Sequence, residues 1–234
     1  MYKYIKRLCD IIFSILGILF TGPFILLSIL LLYLTGEKKP LFIQLRVGKD
    51  RQLFRFYKLR TMRDNGSTTT GPITFYNDDR ITIFGRFLRW SKIDEFPQFF
   101  NVLNGDLSFV GPRPLMPETF YKYNKSIQKK IARVPPGITG AGSVVFRNEA
   151  LILKTAGKNK QEEFYLNAIL PYKGQLEQWY VKNRSFVLDF KLLFFSALVV
   201  IYSRLKGLNN YFNGLPQSKE LAPYFNKSQN GSFL

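Results

Sequence analysis

The sequence predicts an α-rich α+β protein that is bound to one face of a membrane. Three observations predict this class: an uncharged apolar run near the N-terminus, an alternating segment typical of a β-hairpin directly after it, and several helical segments separated by loops rich in Pro and Gly. We expect a membrane anchor over residues 1–36, a small folded domain over residues 37–207 and a loosely held tail over residues 208–234.

The composition limits the chemistry that is open to this chain. Its 234 residues include no histidine and one cysteine, Cys9, which excludes Ser-His-Asp and Cys-His catalysis, imidazole-bound zinc and an intrachain disulfide. A catalytic site must therefore use carboxylates, Lys, Arg, Tyr or Ser, with a hard, oxygen-bound metal as the possible cofactor. The net charge of +18 favours a polyanionic partner such as nucleic acid, anionic lipid or a phosphorylated metabolite, although a well-solvated basic surface has the same charge.

The apolar run over residues 11–34 contains no charged side chain. As a straight helix it would reach about 36 Å, which is enough to cross a bilayer. Gly22 and Pro23 interrupt it, so it predicts either a kinked spanning helix or a re-entrant segment with two helical arms. Basic residues flank the run on both sides, and basic flanks prefer the cytoplasm. We therefore favour the re-entrant, Pro-broken form, with the folded domain in the cytoplasm.

The remaining elements follow from periodicity, caps and breakers. Residues 41–62 predict a hairpin that turns at residues 48–50, and residues 63–79 predict a loop. A short helix is expected within residues 80–90. A capping box at Ser91 predicts a second helix over residues 93–103 that ends at Gly105. Further along we expect a rigid loop over 110–114, helix over 118–133, a second rigid loop over 135–140, and one or two helices over 161–205.

Asp94 and Glu95 form an acidic pair within a basic segment. A carboxylate held among several guanidinium groups stays ionised, and it could bind Mg²⁺ or attack an electrophilic phosphorus. The simpler interpretation is that two acidic residues in a first helical turn stabilise the helix dipole, and the residues alone favour it.

Several basic residues are candidate anion contacts. Lys58 and Arg60 lie two apart, so on a strand they would point the same way and form a clamp, or one solvated strand face. Arg113 lies between two prolines, and its stiff backbone suits binding of a phosphate or carboxylate as well as it suits an exposed structural corner. Arg147, after a glycine-bearing loop, is open to the same two interpretations.

Five segments in order resemble one family: KRLCDIIF, FYKLRTM, NDDRITIFGRFLR, IDEFPQFFNVLNGDLSFVGPRPL and PPGITG. Together they resemble the bacterial sugar transferases, which are monotopic polyprenyl-phosphate phosphoglycosyl transferases. The resemblance covers about residues 6–147, and RSFVLDFKLLFFSAL near the C-terminus resembles the family more weakly. The chain is similar to the minimal, single-domain form.

The resemblance implies an enzyme that moves a sugar-1-phosphate from a UDP-sugar onto polyprenyl (undecaprenyl) phosphate and releases UMP. It implies that Asp94 is the nucleophile that carries the phosphosugar, that Glu95 supports this carboxylate, and that Mg²⁺ is needed, with Asp94 as a metal ligand. Arg113 would face the phosphate or Asp94. The weaker anion contacts carried over are Lys58, Arg60, Arg86, Arg89 and Arg147.

The same resemblance implies a place and partners for the protein. We expect it at the cytoplasmic face of the bacterial inner (plasma) membrane, among inner-membrane lipids, at the first membrane step of glycoconjugate synthesis, with no nucleic acid partner. Two departures from the family pattern are Gly22-Pro23 where Ser-Pro is common, and residues 141–143 where Trp-Ala-Gln is common; the second bears on the choice of sugar. The alternatives are a basic, non-catalytic membrane protein and an enzyme that transfers the phosphoryl group to water.

Overall fold

A computed structural model describes residues 1–36, 38–63, 80–155, 157, 160–201 and 211–225. Within this part of the chain the structure is rich in helix, as predicted. The helices are α1 (Tyr2–Leu34), α2 (Ile83–Ser91), α3 (Gln98–Asn104), α4 (Pro117–Phe120), α5 (Lys125–Ile131), α6 (Ala141–Val145), α7 (Glu149–Thr155), α8 (Gln161–Phe164), α9 (Leu170–Asn183) and α10 (Phe186–Ile201), with a π-helical segment (Tyr165–Ile169) that joins α8 to α9. The strands are β1 (Leu41–Val47), β2 (Leu53–Leu59), β3 (Ser108–Val110) and β4 (Gly137–Thr139).

The apolar N-terminal run forms one helix, α1, which is long and apolar enough to cross a membrane and is largely exposed. The helix continues through Gly22 and Pro23, so the predicted break does not divide it into two separate helices. Proline leaves one carbonyl of the preceding turn without its helical donor. In the same turn, the Thr21 hydroxyl donates a hydrogen bond to the Gly17 carbonyl at 2.7 Å.

The N-terminal half of α1 is bound to the folded domain by polar contacts. Asp189 on α10 accepts hydrogen bonds from the Tyr2 hydroxyl at 2.7 Å and the Lys6 ammonium at 2.8 Å. Arg7 donates to the carbonyls of Val102 and Leu103 at the end of α3, at 2.6 and 2.7 Å. These carbonyls have no partner within their own helix, so Arg7 caps α3.

The C-terminal half of α1 is bound to the same domain by apolar contacts. Ile25 and Leu32 are buried in a cluster with Leu59, at the end of β2, and Leu88, on α2. Both halves of the apolar helix therefore pack on one folded body.

The predicted hairpin is confirmed. β1 and β2 pair antiparallel from Leu41 opposite Leu59 to Val47 opposite Leu53. The turn contains a 3₁₀ segment in which Asp50 and Arg51 have positive φ, a conformation that Asp tolerates better than most residues. The predicted loop that follows falls mainly on residues 64–79, outside the described residues.

The capping-box prediction was wrong. Ser91 is the last residue of α2, and its hydroxyl donates to the carbonyls of Phe87 and Leu88 instead of accepting from a following helix. The segment after it is a 3₁₀ turn (Ile93–Glu95), and α3 begins only after Pro97. Its predicted end is confirmed, because Gly105 adopts the left-handed conformation with a φ of 92°.

Two loop and helix predictions need correction in detail. The helix expected over residues 118–133 is divided into α4 and α5. The second rigid loop contains β4, which pairs parallel with β3 and so joins the two proline-rich segments. A three-residue strand between prolines carries too little periodicity to be recognised from sequence.

The main core lies among α5, α6, α9 and α10, where Leu176, Tyr180 and Leu192 are almost fully buried. The prediction of a loosely held tail from residue 208 was wrong for residues 211–225. Phe212, Leu215 and Leu221 from this segment are buried in the same core. Residues 208–210 and 226–234 lie outside the described part of the chain.

One face of α10 belongs to the core and the other is exposed and apolar. The buried face includes Leu188, Leu192 and Phe195. The exposed face carries Val187, Phe190, Leu193 and Phe194. A helix that is apolar on both faces can bury one face in the core and place the other against lipid, which agrees with membrane association of the protein.

We predict that Asp189→Asn lowers the free energy of unfolding by about 2–3 kcal/mol, because it leaves the partly buried Lys6 ammonium and two tyrosine hydroxyls with a weaker acceptor. The measurement is thermal unfolding of the full chain in lipid nanodiscs. The matched control is Asp50→Asn, since the Asp50–Lys49 pair is exposed and contributes little. Equal unfolding temperatures for the two variants would contradict this account of how α1 is bound.

Candidate active site

The candidate site is built around the 3₁₀ turn (Ile93–Glu95) between α2 and α3. Lys92 enters this turn with a φ of 63°, a left-handed conformation that a side chain with Cβ adopts only at a cost. The residues on either side of the acidic pair, Ile93 and Phe96, pack on the apolar cluster that contains Ile25 and Leu32 of α1. The acidic pair therefore adjoins the apolar cluster that α1 shares with β2 and α2.

Asp94 is 1% exposed, and the Lys58 ammonium on β2 lies 2.8 Å from its Oδ2. Both oxygens are buried and neither receives a hydrogen bond from the described residues, so Lys58 contacts Oδ2 as an ion pair and Oδ1 has no cation within the same reach. A buried carboxylate is costly unless it is compensated, and the charge of Lys58 supplies this compensation. The arrangement leaves one oxygen paired and one oxygen ready for an electrophile or a cation.

Asn101 explains why Lys58 reaches the turn. It is fully buried on α3, and its side chain is bound to the free edge of β2. The Tyr57 N–H donates to Asn101 Oδ1 at 3.1 Å, and Asn101 Nδ2 donates to the Arg55 carbonyl at 2.7 Å. These two bonds hold the strand that carries Lys58 against the helix that follows Asp94.

Glu95 is the second carboxylate of the site and is partly exposed. The Lys58 and Lys92 ammonium groups each lie 3.5 Å from its Oε1. Burial alone would raise the pKa of Glu95, but the charges of Lys58, Lys92 and Arg113 together lower it to about 2. Glu95 is therefore ionised at any physiological pH.

Arg113 reaches the site from a loop whose backbone is fixed. The chain after β3 and the chain around β4 pack backbone against backbone, so that a Cβ on Gly137 would lie 2.1 Å from the Gly111 nitrogen. Glycine is required there because any side chain would separate the two segments. The guanidinium of Arg113 is exposed, with the Ser143 hydroxyl 3.4 Å from it.

Arg147 also lies within electrostatic reach of the acidic pair. Burial lowers the pKa of Arg147, and the charge of Glu95 opposes this shift. Burial lowers the pKa of Lys92 as well, although 39% of its side chain is exposed, and the charge of Glu95 opposes this shift. The cations that surround the two carboxylates are Lys58, Lys92, Arg113 and Arg147.

The structure does not bring every predicted cation to this point. The Arg60 Nε donates to the Lys39 carbonyl at 2.7 Å, and its guanidinium lies over the Phe42 ring. The predicted clamp of Lys58 with Arg60 is therefore wrong, because β2 ends at Leu59 and Arg60 follows the edge of the hairpin. On α2, Arg86 is exposed, and the Arg89 Nε donates to the Thr61 hydroxyl at 2.7 Å.

Three residues were not assigned to the site from the sequence: Asn101 and Glu177, which organise the site, and Lys92, which belongs to it. Lys92 lies next to the acidic pair, but a lysine after a helix has no distinctive pattern. Asn101 falls within the NVLNGD segment, whose position suggested a helix end and not a strand contact. Glu177 on α9 is buried, and its Oε1 accepts a hydrogen bond from the Arg113 N–H at 3.3 Å, across 64 residues of sequence.

A magnesium ion is compatible with these residues. The described residues contain no group of three or more Asp, Glu, His or Cys side chains that would enclose a metal by themselves. Mg²⁺ is commonly bound by one or two carboxylates together with substrate phosphates, and Asp94 has a buried oxygen without a hydrogen-bond donor. The donor set thus fits a metal that arrives with a phosphorylated substrate.

The fold and the site define a membrane-associated protein with a buried carboxylate among cations, an arrangement suited to phosphoryl groups. Its family is shown by comparison: residues 1–203 match the bacterial sugar transferase family, to which this chain belongs.

Relatives with established names agree with this assignment. The chain is 34% identical over 196 residues to the UDP-N-acetylgalactosamine-undecaprenyl-phosphate N-acetylgalactosaminephosphotransferase of Aeromonas hydrophila, covering 83% of this chain and 43% of that protein. It is 39% identical over 163 residues to the galactosyl transferase CpsE of Streptococcus agalactiae, covering 63% of this chain and 36% of that protein. The chain thus spans about two fifths of the length of these two relatives. The sugar transferase EpsL of Bacillus subtilis is 35% identical over 199 residues, covering 85% of this chain and 88% of EpsL.

We predict that Lys58→Met lowers the free energy of unfolding at neutral pH by about 2–3 kcal/mol, because it leaves Asp94 buried without a cation. The pH dependence should change too. Glu95 has its pKa lowered from 4.5 to about 2 in the folded protein, so its stabilising contribution is present above pH 4.5 and is lost as the pH falls towards 2. Without Lys58 this pKa rises, and less stability is lost over that range.

The measurement is the unfolding midpoint at pH 7, 4.5 and 3, with Lys49→Met as the control for loss of an exposed lysine. Identical pH profiles for wild type and Lys58→Met would contradict the described electrostatics.

Proposed function

We propose that the protein transfers a sugar-1-phosphate from a UDP-sugar to polyprenyl phosphate and releases UMP. The observation that carries this proposal is the buried Asp94 carboxylate, with one oxygen on Lys58 and the other unpaired within the described structure, in a chain of the bacterial sugar transferase family. A carboxylate of this kind is suited to covalent catalysis at phosphorus.

In the first proposed step, Asp94 Oδ1 attacks the β-phosphorus of the UDP-sugar. The bond between this phosphorus and the oxygen that bridges to the α-phosphorus breaks, and UMP leaves with that oxygen and its electron pair. The sugar phosphate is then an acyl phosphate on Asp94. Lys58 holds the other carboxylate oxygen, which orients the nucleophile and limits its motion.

In the second proposed step, an oxygen of polyprenyl phosphate attacks the same phosphorus. The bond to Asp94 breaks, the free carboxylate is restored, and a polyprenyl diphosphate sugar is released. The two substrates thus react in turn at one carboxylate, which is a ping-pong mechanism. The protein needs no histidine for this, because phosphate and carboxylate leave as stable anions.

The cations near the turn are suited to the negative charge that both proposed steps concentrate on the phosphoryl group. Arg113, Arg147 and Lys92 surround the carboxylates with positive charge, and such groups stabilise phosphoryl transfer electrostatically. Mg²⁺, when bound, would neutralise the diphosphate of the donor, and we propose Asp94 and Glu95 as the residues that hold it. Glu95, ionised throughout the physiological range, supports this role.

The acceptor is a lipid, and the apolar surroundings of the turn favour that acceptor over water. Ile93 and Phe96 of the turn pack on the apolar cluster to which α1 contributes Ile25 and Leu32. On α2, directly before the turn, Ile83 and Trp90 are highly exposed apolar side chains that suit the headgroup region of a bilayer. A polyprenyl phosphate in the same bilayer would bring its phosphate to the level of Asp94.

The contacts of α1 support a re-entrant topology. A spanning helix would carry one of its halves away from the domain into the bilayer, whereas both halves of α1 pack on this domain, at Asp189 and at Leu88. Proline inside a helix permits a kink without ending the helix, so we propose that α1 bends at Pro23 and that the chain enters and leaves the membrane by the same face, the cytoplasmic face of the inner membrane, as the basic flanks also favour. The named relatives act on different sugars, so the proposal leaves the sugar open and assigns the protein to the first membrane step of glycoconjugate synthesis.

We predict that Asp94→Asn abolishes UMP release from a mixture of UDP-sugar, polyprenyl phosphate and Mg²⁺, with a loss of at least about 10³-fold, because an amide is a poor nucleophile. The assay uses the full chain in nanodiscs and a panel of UDP-sugars. Asp50→Asn is the control for an Asp-to-Asn change, because Asp50 is exposed and lies in the hairpin turn, outside the turn with the acidic pair. Turnover of Asp94→Asn close to wild type would remove Asp94 from the mechanism.

We predict that both ends of α1 lie on the cytoplasmic side. Single cysteines at Lys3 and Lys38, both exposed, are introduced into a Cys9→Ser background. In intact cells neither should react with a membrane-impermeant maleimide, and both should react after lysis. Labelling of one of them from outside the cell would show a spanning helix.

A further inference from the structure

Glu177 is a buried carboxylate on α9 that contacts the backbone of the Arg113 loop. It lies in the middle of α9, and the residue is 3% exposed. Its Oε1 accepts the Arg113 N–H at 3.3 Å, and its Oε2 is buried without a hydrogen bond from the described residues. The mechanism proposed above makes no use of this group.

Three separate segments converge on this carboxylate. Arg113 belongs to the loop after β3, Gly142 to the first turn of α6, and Glu177 to α9. The close approach depends on glycine, since a Cβ on Gly142 would lie 2.5 Å from Glu177 Oε1. Burial raises the pKa of Glu177 to about 7, while the N–H groups of Arg113 and Gly142 and the charges of Lys173 and Arg113 act in the opposite direction.

The position of Arg113 connects this carboxylate to the chemistry. Its charge lowers the pKa of both Glu95 and Glu177, so its guanidinium lies within electrostatic reach of each. The prolines on either side leave the loop few conformations, but they do not fix its position relative to α9. The hydrogen bond from the Arg113 N–H to Glu177 Oε1 fixes that position.

We propose that Glu177 is a positioning residue, which accepts the backbone N–H groups of Arg113 and Gly142 and thereby holds the Arg113 guanidinium at the reacting phosphate. The proposal rests on the proposed function, since Arg113 acts there on the phosphate of the donor. Glu177 itself touches no substrate, and its whole effect on the rate passes through Arg113.

The role can be separated from a merely structural one by a double-mutant cycle in the UMP-release assay. We expect Glu177→Ala to lower kcat/KM for the UDP-sugar by about tenfold, since small displacements of a positioned group can cost up to about 10²-fold. In an Arg113→Ala background, Glu177→Ala should change the rate by less than about twofold. Effects that multiply, with Glu177→Ala equally harmful in both backgrounds, would overturn the proposal.

Two further variants keep the test decisive if Glu177→Ala does not fold. Glu177→Gln retains an oxygen that can accept both N–H groups and should stay within about threefold of wild type. Gly142→Ala displaces the carboxylate without removing it, so it should slow the enzyme and should lose this effect in the Arg113→Ala background. The proposal would also be overturned if Glu177→Gln lost about tenfold or more in kcat/KM, or if Gly142→Ala slowed the enzyme equally in the Arg113→Ala background.

Gln128 supplies the structural control. It is a buried polar side chain on α5 that donates to the Tyr123 carbonyl at 2.7 Å and not to the Arg113 loop. Gln128→Ala should lower the unfolding temperature without changing the rate per folded molecule. Asp94→Asn is measured alongside. If Asp94→Asn is inactive and the effects of Glu177→Ala and Arg113→Ala multiply, only the positioning role of Glu177 is overturned. If Asp94→Asn is active, the proposed reaction itself is contradicted.

Discussion

The contact between the Lys58 ammonium and the buried Asp94 carboxylate is the constraint on which the site depends. It joins the hairpin to the turn before α3, and it offsets the cost of removing a carboxylate from water. Asn101 keeps the two elements in register, because it is bound to β2 and lies on the helix that follows Asp94. The local strain at Lys92 is maintained because these neighbours determine the path of the chain.

The apolar helix α1 and the domain form one packed structure, because both halves of α1 contact the domain. The turn with the acidic pair packs on an apolar cluster that includes the C-terminal half of α1, and the end of α3 is capped by Arg7 from its N-terminal half. With α1 in the bilayer as proposed, these contacts would set the level of Asp94 relative to the lipid. The proposed reaction takes one substrate from water and the other from lipid, and it would depend on such a fixed level.

Sequence patterns predicted the long apolar helix, the hairpin and the helix end at Gly105, because these have strong local determinants: absence of charge, alternation and a glycine cap. They failed where distant contacts decide. The packing of Phe212 on the core, the parallel pairing of β3 with β4 and the diversion of Arg60 to the Lys39 carbonyl all depend on partners far along the chain. For Asp94, the residues alone favoured a helix-dipole role over a nucleophile, and the family motif reversed that preference. The ion pair with Lys58 and the contact of Glu177 with Arg113 required coordinates.

The most direct test of the central claim is mass spectrometry of the protein after brief incubation with a UDP-sugar and Mg²⁺ in the absence of polyprenyl phosphate. The account predicts that the chain gains the mass of one sugar phosphate, that fragmentation locates it on the peptide containing Asp94, and that addition of polyprenyl phosphate removes it. Lipid-linked product that accumulates with no adduct on Asp94, or with the adduct on another residue, would contradict the account.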